Sequence, residues 1–161
     1  MKKIIIIGAI LGLLLTGCSD GIPAKVSDKP GSTTEVTQVK PTYIIELIEK
    51  KESFLFYFAN SWCSACQFMK PINSEVVRRT EQPIYFIEMD KTSKEQLEKI
   101  YKYMAKPQAT PTYVVIINGE VKESFTPEIL VGDDTGFLEE HINLYTANLI
   151  DVLKAKGLIN K

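Results

Sequence analysis

The run Phe54-Leu55-Phe56-Tyr57-Phe58-Ala59 constrains the fold of this chain more than any other stretch. It is unbroken, apolar and rich in aromatic rings. Successive side chains of a strand point to opposite faces, so a strand without polar alternation needs cover on both sides. The run has the length of a strand rather than of a helix. It predicts an interior strand of a sheet with a layer packed on each face. At 161 residues, the chain suits one such domain with a real core and is too short for two comfortable ones.

The elements for those layers flank the run. Upstream, Glu35-Val36-Thr37-Gln38-Val39 alternates like a short edge strand. Pro41 opens a helix in which Ile44, Ile45, Leu47 and Ile48 recur at helical spacing, and Glu49-Lys50-Lys51-Glu52 ends it on a solvated face. Downstream, residues 63–79 predict a helix with Met69, Ile72, Val76 and Val77 turned inward. Pro71 falls inside it, removes a backbone donor and predicts a kink near Gln67. Residues 83–90 form the next strand, and residues 94–104 a helix with Leu97, Ile100, Tyr101 and Met104 on one side. Tyr113-Val114-Val115-Ile116-Ile117 is a strand that Asn118-Gly119 turns into a hairpin, with residues 120–125 returning. A last helix, capped by Asp134 or Thr135, carries Phe137, Leu138, Ile142, Leu149, Ile150, Val152 and Leu153, with a break expected between Asn143 and Asn148. The order (β)αβαβαββα predicts an α/β fold, a mixed central sheet with helices on both faces.

Cys63 and Cys66 stand where the apolar strand gives way to its helix. A thiol must be a thiolate to act as a nucleophile, and a free cysteine near neutral pH mostly is not. At the first turn of a helix the unpaired N–H groups favour an anion, so the Cys63 thiol is expected to ionise more readily. Cys66 lies one turn further on the same face, near enough to close a disulfide. Cys63 is thus the expected attacking thiol and Cys66 the resolving thiol of a disulfide exchange. Trp62 supplies a flat apolar neighbour that limits water access. The net charge of −1 offers nothing basic enough to suggest a nucleic-acid partner.

The third cysteine has a different setting. Lys2 and Lys3 precede an apolar run over residues 4–15, shorter than the ~20 residues of a membrane-spanning helix. Leu15-Thr16-Gly17-Cys18 then resembles a bacterial lipoprotein cleavage box. That resemblance implies a signal peptide over residues 1–17 and a diacylglycerol thioether on Cys18 at the new N-terminus. Cleavage removes two lysines and no acids, leaving a mildly acidic mature chain. Residues 18–40 are rich in Ser, Thr, Gly, Pro and Lys and read as a lipid-anchored flexible tether. The folded domain is expected over residues 41–161. Its location would be extracytoplasmic, where disulfides persist, with Cys63 and Cys66 as the only free thiols.

From about Val36 to about Lys154 the chain resembles thioredoxin-like proteins in element order and in motif. The likeness rests on Trp62-Cys63-x-x-Cys66, on Pro71 five residues after the second cysteine, and on Asp90 closing the next strand. It extends to Thr110-Pro111-Thr112 opening the hairpin that Asn118-Gly119-Glu120 ends. The resemblance implies a cis Thr110–Pro111 bond packed against the active-site cysteines. It also implies that the Thr110 backbone holds an extended substrate chain, so Thr110 and Pro111 join Trp62 as substrate-positioning residues. Three features depart from the family. Tyr57 stands where thioredoxins carry a buried aspartate, and Phe86 where a lysine lies near it. The Ser64-Ala65 dipeptide replaces Gly-Pro. These departures argue against a general cytoplasmic reductase. Glu88 is a candidate proton acceptor or a solvated charge at a strand end.

The expected function is a membrane-anchored, extracytoplasmic thiol–disulfide oxidoreductase. Its partners are exported protein thiols or disulfides, the membrane through the anchor, and a transmembrane redox partner if it works as a reductase. The dithiol is the redox carrier, so no cofactor and no metal are implied. Zinc would need four ligands, where the chain offers two thiols and a distant His141. Two alternatives stay open. One is an accessory lipoprotein dedicated to a single system, bacteriocin export or cytochrome c maturation. The other is a binding module with an inert disulfide, although so short a loop makes a poor staple.

Overall fold

The computed structural model of the protein describes residues 35–128 and 139–160. The leader, Cys18, residues 19–34 and the expected helix cap at Asp134 or Thr135, with Phe137 and Leu138, lie outside the described residues. Five strands form one sheet in the order β1-β3-β2-β4-β5: β1 is Val36–Gln38, β2 Phe54–Ala59, β3 Ile84–Glu88, β4 Thr112–Ile117 and β5 Glu120–Phe125. Strands β1, β3 and β2 run parallel, while β4 is antiparallel to β2 and β5 to β4. The helices are α1 (Pro41–Glu49), α2 (Ser64–Thr80), α3 (Lys94–Ile100) and α4 (Glu139–Ala155).

The apolar run is the middle strand, and all six of its residues are buried. Its alternation divides the core in two. Leu55, Tyr57 and Ala59 share one cluster with Met69, Ile72, Val76 and Val77 of α2 and with Tyr145, Leu149 and Leu153 of α4. Phe54, Phe56 and Phe58 share the other with Ile44 and Ile48 of α1 and Ile100 of α3. Each face thus has the helical layer that a fully apolar strand demands.

Asn118 and Gly119 turn the β4–β5 hairpin with φ of 52° and 77°. Positive φ at both central residues is the turn geometry that matches strand twist. Glycine is also required for space, since a Cβ at Gly119 would lie 2.4 Å from the Ile48 carbonyl oxygen of α1. Beyond α4, Gly157 takes φ 76°, and Leu158 and Gly157 donate back to the Leu153 and Lys154 carbonyls. This left-handed stop satisfies the last carbonyls of the helix.

The folded domain begins before residue 41, inside the expected 18–40 tether, because β1 pairs with β3 and Val39 is buried in the core. Three local expectations also change. α4 is unbroken between Asn143 and Asn148, because Tyr145, Thr146 and Leu149 are buried there. α3 is regular only to Ile100, and a turn rather than helix carries the chain to the buried Met104. The strand expected to reach Asp90 stops at Glu88, and Met89–Lys91 form a single 3₁₀ turn. α2 continues through Pro71, with one backbone donor fewer. Among the described residues no helix is long and apolar enough to cross a membrane.

Candidate active site

β2 ends at Ala59, and a tight turn delivers Cys63 to the start of α2. Cys63 is the N-cap of the helix, with φ −79° and ψ 109°, one residue ahead of the first turn where the sequence predicts it. Its Sγ accepts the Cys66 backbone N–H at 3.0 Å, as an oxygen does in an ordinary cap. The Cys63 N–H donates to the Asn60 carbonyl at 3.2 Å, and the Gln67 N–H to the Cys63 carbonyl at 3.1 Å. Cys63 and Cys66 form a disulfide with Cα atoms 5.2 Å apart. Both are buried, with 7 % of Cys63 and 3 % of Cys66 exposed. Cys63 and not Cys66 lines the adjoining cleft, so its sulfur is the outer one, at the electropositive end of a helix of nearly five turns.

The loop before β4 meets it. The Thr110–Pro111 bond is cis, as the family resemblance implies, and Pro111 is buried. Cys63 Sγ lies 3.2 Å from the Thr110 carbonyl oxygen, and Asn60 Nδ2 donates to Thr110 Oγ1 at 3.5 Å. Thr112 Oγ1 donates to the Ala109 carbonyl at 2.7 Å, pinning the loop onto the strand that follows. A cleft of about 440 Å³ opens beside Cys63, lined by Trp62, Ala65, Met89, Pro107, Ala109 and Thr110. No lining residue is charged. Trp62 is 77 % exposed, so it borders the disulfide rather than covering it.

Ser61, which the sequence leaves without a role, is held at three atoms. Its N–H donates to Asp90 Oδ1 at 3.0 Å and its hydroxyl to Asp90 Oδ2, while its carbonyl accepts from Gln67 Nε2 at 3.2 Å. The hydroxyl of Ser61 holds the Asp90 carboxyl below the usual carboxylate range.

Beneath the disulfide, four rings stack across the sheet. Phe86, Tyr57, Tyr113 and Phe125 lie 5.4, 5.0 and 5.6 Å apart at interplanar angles of 18°, 26° and 18°. Tyr57, where the resemblance implies an aspartate, is thus part of an aromatic row. Burial raises its hydroxyl pKa, and it stays protonated at any physiological pH. Tyr113 is raised for the same reason, and its hydroxyl donates to Asn73 Oδ1 at 2.7 Å. Asn73, fully buried on the inner face of α2, is a second residue the sequence leaves unmarked. Its spacing was the available signal, four after Met69 and three before Val76. Glu88 accepts from Gln38 Nε2 at 3.1 Å and pairs with Lys91 at 2.7 Å. His141 lies in the first turn of α4. Among the described residues no group of three or more His, Cys, Asp or Glu gathers to hold a metal ion.

The family model for thioredoxin matches residues 35–132, more than half of the chain. Thioredoxin Y of the rice chloroplast (Oryza sativa subsp. japonica) is 30 % identical over 100 residues, 60 % of this chain and 57 % of that protein. Thioredoxin H3 of Arabidopsis thaliana is 26 % identical over 76 residues, 47 % of this chain and 60 % of that one. The chain thus spans about six-tenths of the length of these relatives. Among solved structures, a mutant thioredoxin from Halobacterium salinarum NRC-1 superposes with a TM-score of 0.55 at 19 % identity, covering 80 % of this chain and 96 % of that one. Thioredoxin from Schistosoma mansoni gives 0.55 at 21 % identity, covering 78 % and 98 %. A disulfide between N-cap and first turn, a cis proline loop against the outer sulfur and a matching family model agree: this chain belongs to the thioredoxin family.

Proposed function

We propose that this protein is a thiol–disulfide oxidoreductase that exchanges disulfides with extended segments of exported proteins while held at the membrane by a lipid on Cys18. The observation that carries the reading is the outer sulfur, Cys63 Sγ, at a helix N-terminus and 3.2 Å from the Thr110 carbonyl in an uncharged cleft. In the reduced protein the Cys66 N–H and the helix end stabilise a Cys63 thiolate. That thiolate attacks one sulfur of a client disulfide, and the other client sulfur leaves as a thiolate and takes a proton. Cys66, deprotonated, then attacks Cys63 Sγ. The intramolecular disulfide forms and the second client thiol leaves. Two electrons and two protons pass to the client, and the reverse sequence oxidises a client dithiol. Thr110 and Pro111 position the client backbone, and Trp62 walls its path.

The anchor reading rests on Lys2, Lys3, the apolar residues 4–15 and Leu15-Thr16-Gly17-Cys18. Mass spectrometry of the mature N-terminus tests it, since an unmodified Cys18 thiol refutes lipidation. Exchange is tested with Cys66→Ser, which removes the resolving thiol. Mixed disulfides between Cys63 and exported proteins should accumulate, and a folded variant that traps none overturns the reading. The reduction potential of the pair against glutathione sets the direction, with a value near about −270 mV marking a reductase and near about −120 mV an oxidase.

A second reading has its own support. Tyr57 and Phe86 put an aromatic row where the family carries a buried acid and a lysine, which favours a dedicated client over a general reductase. A trap that yields one protein rather than many supports it.

A further inference from the structure

The residues that line the cleft come from different parts of the chain. Trp62 belongs to the turn between β2 and α2, and Met89 to the 3₁₀ turn after β3. No backbone hydrogen bond joins these two turns among those between described residues. The link is made one residue away on each side, where Ser61 meets Asp90. Both carboxylate oxygens are used, one on the Ser61 N–H at 3.0 Å and one on its hydroxyl. From the other direction Gln67 of α2 holds the Ser61 carbonyl at 3.2 Å. The turn that presents Trp62 and Cys63 is thereby fixed to the Met89 wall.

We propose that Asp90 is a positioning residue for exchange with polypeptides. By clamping Ser61 it sets the width of the cleft and the register of Cys63 against Thr110. The proposal rests on the exchange reading above. A client chain must touch the Trp62 wall, the Met89 wall and the Thr110 backbone while its sulfur reaches Cys63. A small disulfide need only reach the sulfur. Misplacement of about an ångström is enough to slow a reaction that depends on several simultaneous contacts, and it matters little where only one is needed.

The test compares single-turnover rates of the reduced protein with two oxidants, a disulfide-linked peptide of about ten residues and 2-hydroxyethyl disulfide. Asp90→Ala loses both bonds and should slow the peptide reaction about tenfold while leaving the small disulfide within about threefold. Ser61→Ala loses only the hydroxyl bond and should show a smaller loss of the same selectivity. The double variant should be no slower than Asp90→Ala alone, because both substitutions act on one contact. Asp90→Asn should restore the peptide rate, since its carbonyl accepts the Ser61 N–H and its amide reaches the hydroxyl. If Asp90→Ala does not fold, Ser61→Ala and Asp90→Asn carry the same discrimination. Equal slowing of both oxidants, additive losses in the double variant, or failure of Asp90→Asn to restore the peptide rate each overturns the positioning role. A wild-type protein inert to both oxidants overturns the exchange reading itself, a result the other outcomes do not resemble.

Discussion

The two faces of the central sheet are built from alternate residues of the same strand, yet they are different materials. Toward α1 and α3, β2 sends Phe54, Phe56 and Phe58 into an apolar cluster of Ile44, Ile48, Ile87 and Ile100. Phe56 and Phe58 meet edge to face, 5.2 Å between centroids. Toward α2 and α4 it sends Leu55, Tyr57 and Ala59, and that side also holds the disulfide and the fully buried Asn73 and Thr146. The first face is aliphatic and aromatic, with the Tyr101 hydroxyl buried at its edge and Met89 reaching the cleft. The other accepts polar atoms in its interior and a reactive pair at its end. The reactive pair thus belongs to one side of the strand, while the other side contributes only Met89 to the cleft beside it.

That division can be broken by experiment. The largest effect is expected from Cys63→Ser, which should abolish exchange completely while the α1–α3 face, followed by amide hydrogen exchange of Phe56 and Phe58, keeps its protection. Next is Phe56→Ala. Deleting a fully buried ring should cost about 3–5 kcal/mol, read from denaturant midpoints, and leave the reduction potential of the cysteine pair unchanged. A potential that moves with it joins the two faces and ends the comparison. Asn73→Ala is smaller. It strips the Tyr113 hydroxyl of its acceptor in a dry site and should cost about 1–3 kcal/mol. The smallest is a pH effect at the rim of the reactive face. Arg78 and Arg79 hold the Glu75 carboxyl down to about 2, from an ordinary value of 4.5. The unfolded chain then binds more protons between those values, so this contribution is present above pH 4.5 and lost as pH falls toward 2. Glu75→Gln should flatten the acid limb of the stability curve in that window.

The sequence carried the interior strand, the element order and the cysteine pair because each is written in neighbouring residues. Six apolar positions in a row dictate burial on both sides wherever they sit. Two thiols three apart at a strand–helix junction need no long-range information to face each other. The cis Thr110–Pro111 bond came only through resemblance, since nothing local to it demands that geometry. What stayed hidden is what distant segments decide. Asn143 to Asn148 read as a break because Asn143, Thr146 and Asn148 are poor helix formers, but Tyr145 and Thr146 are buried and Arg79 of α2 reaches Asn143, so tertiary contacts keep α4 whole. Ser61 and Asp90 are 29 positions apart, and although Asp90 is marked by the resemblance, nothing in the sequence joins it to Ser61. Asn73 was concealed differently: in its helix it looks like one polar residue too many, until Tyr113, 40 positions on, is placed beside it.

The exposed ring of Trp62 has a practical consequence. It is the single tryptophan of the chain and the covalent neighbour of Cys63. A disulfide next to an indole drains its excited state, and a dithiol does so less. Fluorescence from this one ring is expected to rise as the bond opens, and emission that stays level on reduction would place the ring out of contact with the disulfide. A response of that kind would let the redox state of the molecule be followed in real time by its own light, without a dye.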